Sequence, residues 1–174
     1  PGWRFRFARS LEIKAIRNAL LIIAISENTA RDVHEMLGIP RERIVVTPLG
    51  VDERFFDAKA PKDSKAFRSR YGIPEGRKVV LYVGGIDQRK NCRGLLEVMR
   101  RGIDHFTARR EAAPVLVMAG RIREDEQFPL LQAQIEGLGL QDDVVLAGFV
   151  SDDDLLSLYG LSSVFLFASL YEGF

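Results

Sequence analysis

Two cations stand just beyond a glycine pair in the run Val79-Val80-Leu81-Tyr82-Val83-Gly84-Gly85-Ile86-Asp87-Gln88-Arg89-Lys90-Asn91. Arg89 and Lys90 carry the charge that an anion requires. Gly84 and Gly85 let the backbone turn sharply and approach a ligand closely. Asn91 is a good N-cap for a following helix, whose N-terminal amides favour negative charge. Each part alone has a plainer reading: a Gly-Gly turn is most often a tight strand-to-helix connection, and an Arg-Lys pair is most often solvated surface. Together, after a buried strand, they favour phosphate binding. The pattern is neither a dinucleotide fingerprint, since no G-x-G-x-x-G surrounds Gly84-Gly85, nor a Walker loop.

Few other residues compete. Glu172, between Tyr171 and Gly173, lies just past the last apolar run and is the best-placed carboxylate. His34 and His105 have no Cys, Asp or Glu set beside them, so no metal site is expected. Cys92 falls on the apolar face of its helix and reads as core rather than nucleophile. Asp152, Asp153 and Asp154 suggest a cation site at first sight, but acids at a helix N-terminus are the simpler account.

These residues need elements to position them, and the apolar pattern supplies a regular series. Leu20 to Ile25 reads as a buried strand, Glu27–Leu37 as a helix capped by Ser26 and stopped by Gly38, and Arg43 to Thr47 as a second strand. That is one βαβ unit. A polar stretch from Asp57 to Asp63 marks a boundary. Asp63 or Ser64 then caps a short helix stopped by Gly72. The cation-bearing strand follows, and Cys92, Leu95, Leu96 and Met99 mark one helical face with Gly102 as its stop. Pro114 to Gly120 is a strand, Phe128, Leu131, Ile135 and Leu138 mark a helix ended by Gly139, and Asp143 to Gly148 is a strand. Ser151 caps the next helix, and Val164 to Ala168 is the last strand. Such alternation argues a parallel sheet covered on both faces, the doubly wound α/β class. Ligands of these sheets bind beyond the carboxyl ends of the strands. Those ends are Gly84-Gly85, Gly120-Arg121, Gly148-Phe149 and Ser169 to Phe174, and two of them carry cations.

The totals bound the function class. The chain has 174 residues, with 25 Lys+Arg against 24 Asp+Glu and a net charge of +1, so no global field draws it to nucleic acid. Its single cysteine excludes an internal disulfide and fits a reducing compartment, which favours a cytoplasmic location. The longest apolar run, Ala19 to Ile25, is too short to span a bilayer, and no signal-peptide pattern opens the chain. Residues 1–18 are basic and suggest an amphipathic helix; its apolar stripe is weak, which favours a solvated face over contact with an anionic membrane. The missing initiator Met, and a last strand followed by only Leu170 to Phe174, suggest an excerpt of a longer protein.

Several stretches taken in order resemble glycosyltransferase family four, retaining enzymes of the GT-B fold. They are Thr47-Pro48-Leu49-Gly50-Val51-Asp52 with Phe56, Val83 to Asn91, Ala119-Gly120, Gly148-Phe149-Val150, and Ser169-Leu170-Tyr171-Glu172-Gly173-Phe174. The resemblance implies two Rossmann-like domains. Residues 1–50 would be the end of the acceptor-side domain, 51–62 a linker, and 63–174 the donor-nucleotide domain, truncated within the Glu-x7-Glu motif. It also implies roles. Lys90 would hold the diphosphate of a nucleotide-sugar with Arg89 beside it at Gly84-Gly85, backbone at Phe149-Val150 would border the base, and Glu172 would position the sugar. Gly173 and Phe174 would bring backbone amides near sugar and phosphate. Many relatives carry arginine where this chain has Gly85, and Arg121 is a candidate to supply that charge.

The implied activity is retaining transfer of a hexose, of mannose or glucose type, from a nucleotide-diphosphate sugar to a carbohydrate or lipid-linked acceptor, with no metal or other cofactor. Peripheral contact with the inner face of a membrane would come from the acceptor-side domain. The alternatives are a nucleotide-sugar epimerase of the same fold and a non-catalytic nucleotide-binding domain. A second Glu eight residues after Glu172 would favour the transferase.

Overall fold

The computed structural model describes residues 3–173. The chain divides into two compact units, residues 1–51 with 172–174, and residues 52–171.

In the first unit, α1 spans Trp3–Asn18, β1 Ile22–Ala24, α2 Glu27–Leu37 and β2 Ile44–Val46. β1 and β2 pair in parallel, Ile22 opposite Ile44, so the expected βαβ unit forms. Ser26 starts α2 by accepting a hydrogen bond from Thr29 N at 3.1 Å, and Gly38 ends it in the left-handed region at φ 68°. Ala24, Ala30, Ile39 and Ile44 form the small core. His34 is exposed, with Nδ1 2.7 Å from the Ile39 carbonyl. The run Leu20 to Ile25 is shorter and more exposed as a strand than its composition suggests. Only Ile22–Ala24 is paired, and Leu20, Leu21 and Ile23 are 93%, 53% and 69% exposed. The reason is geometric: α2 packs on one face of this two-stranded ribbon, and Ile23 and Val45, opposite in register, are exposed on the other.

The second unit is built on four parallel strands in the order β5-β4-β3-β6. These are β3 (Val79–Val83), β4 (Val115–Ala119), β5 (Val144–Gly148) and β6 (Val164–Phe165), with helices α3 (Ser64–Tyr71), α4 (Cys92–Ala108), α5 (Phe128–Gly137) and α6 (Asp152–Leu161) between them. Alternate strand residues face opposite layers. Tyr82, Leu116 and Met118 pack with Leu95, Leu96, Met99 and Ile103 of α4 and Leu131 and Ile135 of α5. Val79, Leu81, Val115 and Val117 pack instead with Phe67 of α3 and Leu158 of α6. Each fully buried aliphatic side chain in these layers contributes about 1.5–3 kcal/mol of transfer free energy. This is the two-sided parallel sheet that the continuous apolar runs imply.

Two boundaries differ from expectation. Gly102 does not stop α4, which runs to Ala108, because Ile103 continues the buried stripe of Cys92, Leu95, Leu96 and Met99. The last strand is only Val164–Phe165 rather than Val164 to Ala168. Both residues are exposed, since β6 lies at the sheet edge and pairs with β3 alone among the described residues. The segment before α3 lies on α6: the Phe55 and Tyr159 rings meet edge-on at 5.8 Å, and a Cβ on Gly160 would overlap the Lys59 backbone.

Candidate functional site

The carboxyl ends of β3, β4 and β5 are tied side by side. Gly84 N donates to Ala119 O at 2.9 Å, and Gly120 N donates to Gly148 O at 2.8 Å. Gly84 and Gly120 turn with φ of 148° and 147°, a backbone that side chains disfavour. Gly84, Gly85, Arg121 and Phe149 therefore share one sheet edge with the turn that carries Arg89 and Lys90. Val150, next in line, is buried among Val117, Ala119 and Leu158, so only its backbone faces this edge.

The cation turn is built from within. Gln88–Lys90 form one turn of 3₁₀-helix, started by the Asp87 carboxylate accepting from Arg89 N at 3.2 Å. The Tyr82 hydroxyl donates to the Gly85 carbonyl from below. Asn91 closes the turn in the left-handed region at φ 52° and caps α4, accepting from Gly94 N at 3.2 Å. Its role as N-cap matches the sequence reading.

The two cations are held differently. Lys90 Nζ lies over the Phe167 ring, 4.7 Å from its centre, and Phe167 stacks on Tyr82 at 6.0 Å. An ammonium over a ring face is placed by the ring quadrupole. Arg89 makes an ion pair with Asp87 at 3.6 Å and donates to the Tyr171 carbonyl at 3.2 Å. Its guanidinium thus braces the turn. Arg121 lies over the Phe149 ring at 5.2 Å, which brings a cation to the end of β4. Cys92 is buried beneath the turn, and burial pushes its thiol above the usual cysteine range, in keeping with a core residue.

Glu172 and Gly173 belong to the first unit. There the Gly173 carbonyl accepts from Ser26 Oγ and from Thr29 Oγ1, each at 2.6 Å. Phe174 lies outside the described residues. A cleft of about 490 Å³ opens between the starts of α4 and α5, lined by Gln88, Asn91, Arg93, Gln127, Leu130 and others. It takes in neither Lys90 nor Arg121, so it is a neighbour of the cation edge rather than part of it. Among the described residues no three His, Cys, Asp or Glu side chains come together as a metal site, and no helix is long and apolar enough to cross a membrane.

Sequence reasoning missed Asp87, Tyr82 and Phe167. Asp87 had a signal, an Asx start two residues before a backbone N–H. The two rings had none, since aromatic residues in a β-rich run read as core.

A glycine-turned sheet edge with an ammonium over a ring is chemistry that suits an anionic group. Residues 63–174 match the family model of the group 1 glycosyl transferases, and residues 1–55 match that of Glycosyltransferase Family 4. The chain belongs to the group 1 glycosyl transferases. A serotype-specific mannosyltransferase of Escherichia coli, WbdA, is 30% identical over 156 residues, covering 88% of this chain and 18% of that protein. A solved glycosyltransferase from Rickettsia africae superposes with a TM-score of 0.74 at 23% identity, over 91% of this chain and 41% of that one. The Anabaena protein HepE, solved with UDP-glucose, gives 0.73 at 21% identity over 92% and 41%. These likenesses show the GT-B fold that the sequence resemblance implies. This group 1 chain spans from about a fifth to about two fifths of the length of the three.

Proposed function

We propose that this group 1 chain holds the end of the acceptor-side domain, in residues 1–50, and donor-nucleotide domain sequence, in residues 63–174, of a longer retaining glycosyltransferase. It moves a hexose of mannose or glucose type from a nucleotide-diphosphate sugar to a carbohydrate or lipid-linked acceptor. The observation that carries the reading is Lys90, an ammonium set over Phe167 at the end of β3, where the strand ends of an α/β sheet converge. A relative named for mannosyl transfer and a fold neighbour solved with UDP-glucose support the substrate class.

Breaking a sugar–phosphate bond leaves charge on the departing nucleoside diphosphate. A pre-placed ammonium and the amides at the start of α4 stabilise that charge with no reorganisation at the moment of reaction. Arg121 adds a second cation at the neighbouring strand end. Glu172 fixes the sugar so that its anomeric carbon meets the acceptor hydroxyl. The reading needs no metal.

The test is calorimetric titration of the full-length protein with a panel of nucleotide-sugars, beside its Lys90→Ala variant. Selective binding that Lys90→Ala weakens about 10- to 100-fold supports the reading, and donor affinity and turnover unchanged by Lys90→Ala overturn it. The anomeric configuration of the product, read by NMR, tests retention.

A further inference from the structure

β3 and β4 end alike. Gly84 and Gly120 turn with φ of 148° and 147°, and the second residue after each is a buried isoleucine, Ile86 at 4% exposure and Ile122 at 1%. The two isoleucine amides then differ. Ile122 N donates to Gly120 O at 2.9 Å. Ile86 N donates to no carbonyl or side chain among the described residues. More than about 90% of buried backbone N–H groups are paired, so this exception needs a cause.

The cause lies in the peptide that joins Gly85 to Ile86. Its carbonyl is held from the core: the Tyr82 hydroxyl donates to Gly85 O, and Cys92 Sγ lies 3.9 Å from the same oxygen. No peptide bond among the described residues is cis. In a trans peptide the N–H points opposite to the carbonyl. Tyr82 is fully buried beneath the turn, so the Ile86 N–H points away from it, outward from the turn that carries Arg89 and Lys90. Gly85 keeps that approach open: a Cβ there would meet nothing nearer than Asp87 Oδ2 at 4.0 Å.

We propose that the Ile86 N–H is a further ligand of the donor's diphosphate, and that Tyr82 is the positioning residue that aims it. The proposal rests on the reading of Lys90 as the diphosphate cation. A phosphate oxygen is a charged acceptor, and an amide whose peptide is already pinned donates to it without reorganising. The end of β4 has no such donor to offer at Ile122, because its N–H is spent on Gly120 O.

The test uses the full-length protein with isoleucine labelled by ¹⁵N, and inorganic pyrophosphate as the probe. In the free protein the Ile86 amide should exchange at least about tenfold faster than that of Ile122. Saturating pyrophosphate should slow Ile86 exchange about tenfold and move its amide proton downfield, with Ile122 unchanged. Tyr82→Phe keeps the ring and removes the hydroxyl. It should weaken pyrophosphate about 2- to 10-fold and shrink the Ile86 response. A hydroxyl that only supported the fold would lower the melting temperature and leave both readouts alone. Pyrophosphate that binds without changing the Ile86 amide overturns the proposal and leaves the Lys90 reading intact. An Ile86 amide as protected as Ile122 before any ligand is added does the same, since its N–H then has a partner within the protein. No pyrophosphate binding, or an affinity unchanged by Lys90→Ala, overturns both.

Discussion

Gly120 lies so close to the carbonyl oxygen of Gly84 that a Cβ on it would overlap that oxygen. The contact joins the ends of β3 and β4 at the edge where the cations stand. It is why the strand end must be glycine twice over, for the space and for φ of 147°.

Gly120→Ala should therefore destabilise the protein by about 2–4 kcal/mol, combining backbone strain with overpacking. Gly85 is the control. Its φ is not positive, and the nearest atom to a Cβ there is Asp87 Oδ2 at 4.0 Å. Gly85→Ala should stay within about 0.5 kcal/mol of the parent in urea unfolding. Gly85→Arg should fold equally well and raise nucleoside-diphosphate affinity severalfold, by adding a cation beside Lys90 where the resemblance implies one in many relatives. A Gly85→Arg protein as unstable as Gly120→Ala would refute this account of the turn.

The order of elements was legible because two-sided burial writes continuous apolar runs, and because Ser26, Asp63, Asn91 and Ser151 all cap the helices that follow them. Gly102 misled because a glycine inside a helix costs only about 1 kcal/mol against alanine, less than burying Ile103 contributes. Val164 and Phe165 misled because an edge strand carries the same residues as a central one. At the site, the cation turn was legible as local chemistry. Phe167 under Lys90, and Ala168 as the second partner of Asn91, were not, since nothing local records a contact across 77 residues.

A second long-range pair sets a pH dependence. The Tyr71 hydroxyl donates to Asp154 Oδ2 at 2.6 Å, and Arg70 pairs with the same carboxylate. The Tyr71 bond, with Arg70 behind it, holds the Asp154 carboxyl below the usual range. A depressed folded-state value stabilises above the ordinary carboxylate pKa of about 3.9 and is lost as pH falls through the lower one. Burial, then the Asp154 bond, raises the Tyr71 phenol, so its contribution holds below about pH 10 and fades as pH rises through the higher value. The stability gap between the parent and Asp154→Asn should thus be flat from about pH 5 to 9 and close below about pH 4. A gap that stays constant down to pH 2 would rule the pair out.

Ser169 gives a prediction of the opposite sign. Among the described residues its hydroxyl is buried without a hydrogen-bond partner, in the loop that follows β6. An unsatisfied buried hydroxyl costs about 1–3 kcal/mol, so Ser169→Ala should hold or raise the melting temperature of the free protein. If Ser169→Ala also weakens nucleotide-sugar binding, a bound donor is the partner that the hydroxyl lacks. A loss of stability in the free protein would show that the hydroxyl is satisfied after all.

Lys90 carries the sharpest prediction. A charge-assisted hydrogen bond to phosphate is worth about 1.5–3 kcal/mol, so Lys90→Ala should weaken nucleoside-diphosphate binding about 10- to 100-fold. Lys90→Arg should recover only part of this, because a planar fork cannot reproduce a compact ammonium seated over a ring. Phe167→Leu keeps the charge and removes the ring beneath it. An exposed cation–π contact is worth about 0.5–1 kcal/mol, so Phe167→Leu should weaken binding about two- to fivefold. The two substitutions share one interaction, so their effects should not add: once Lys90 is alanine, Phe167→Leu should cost the ligand almost nothing more. A double-mutant cycle by calorimetry reads this directly, and full additivity would show that the ring does not place the ammonium.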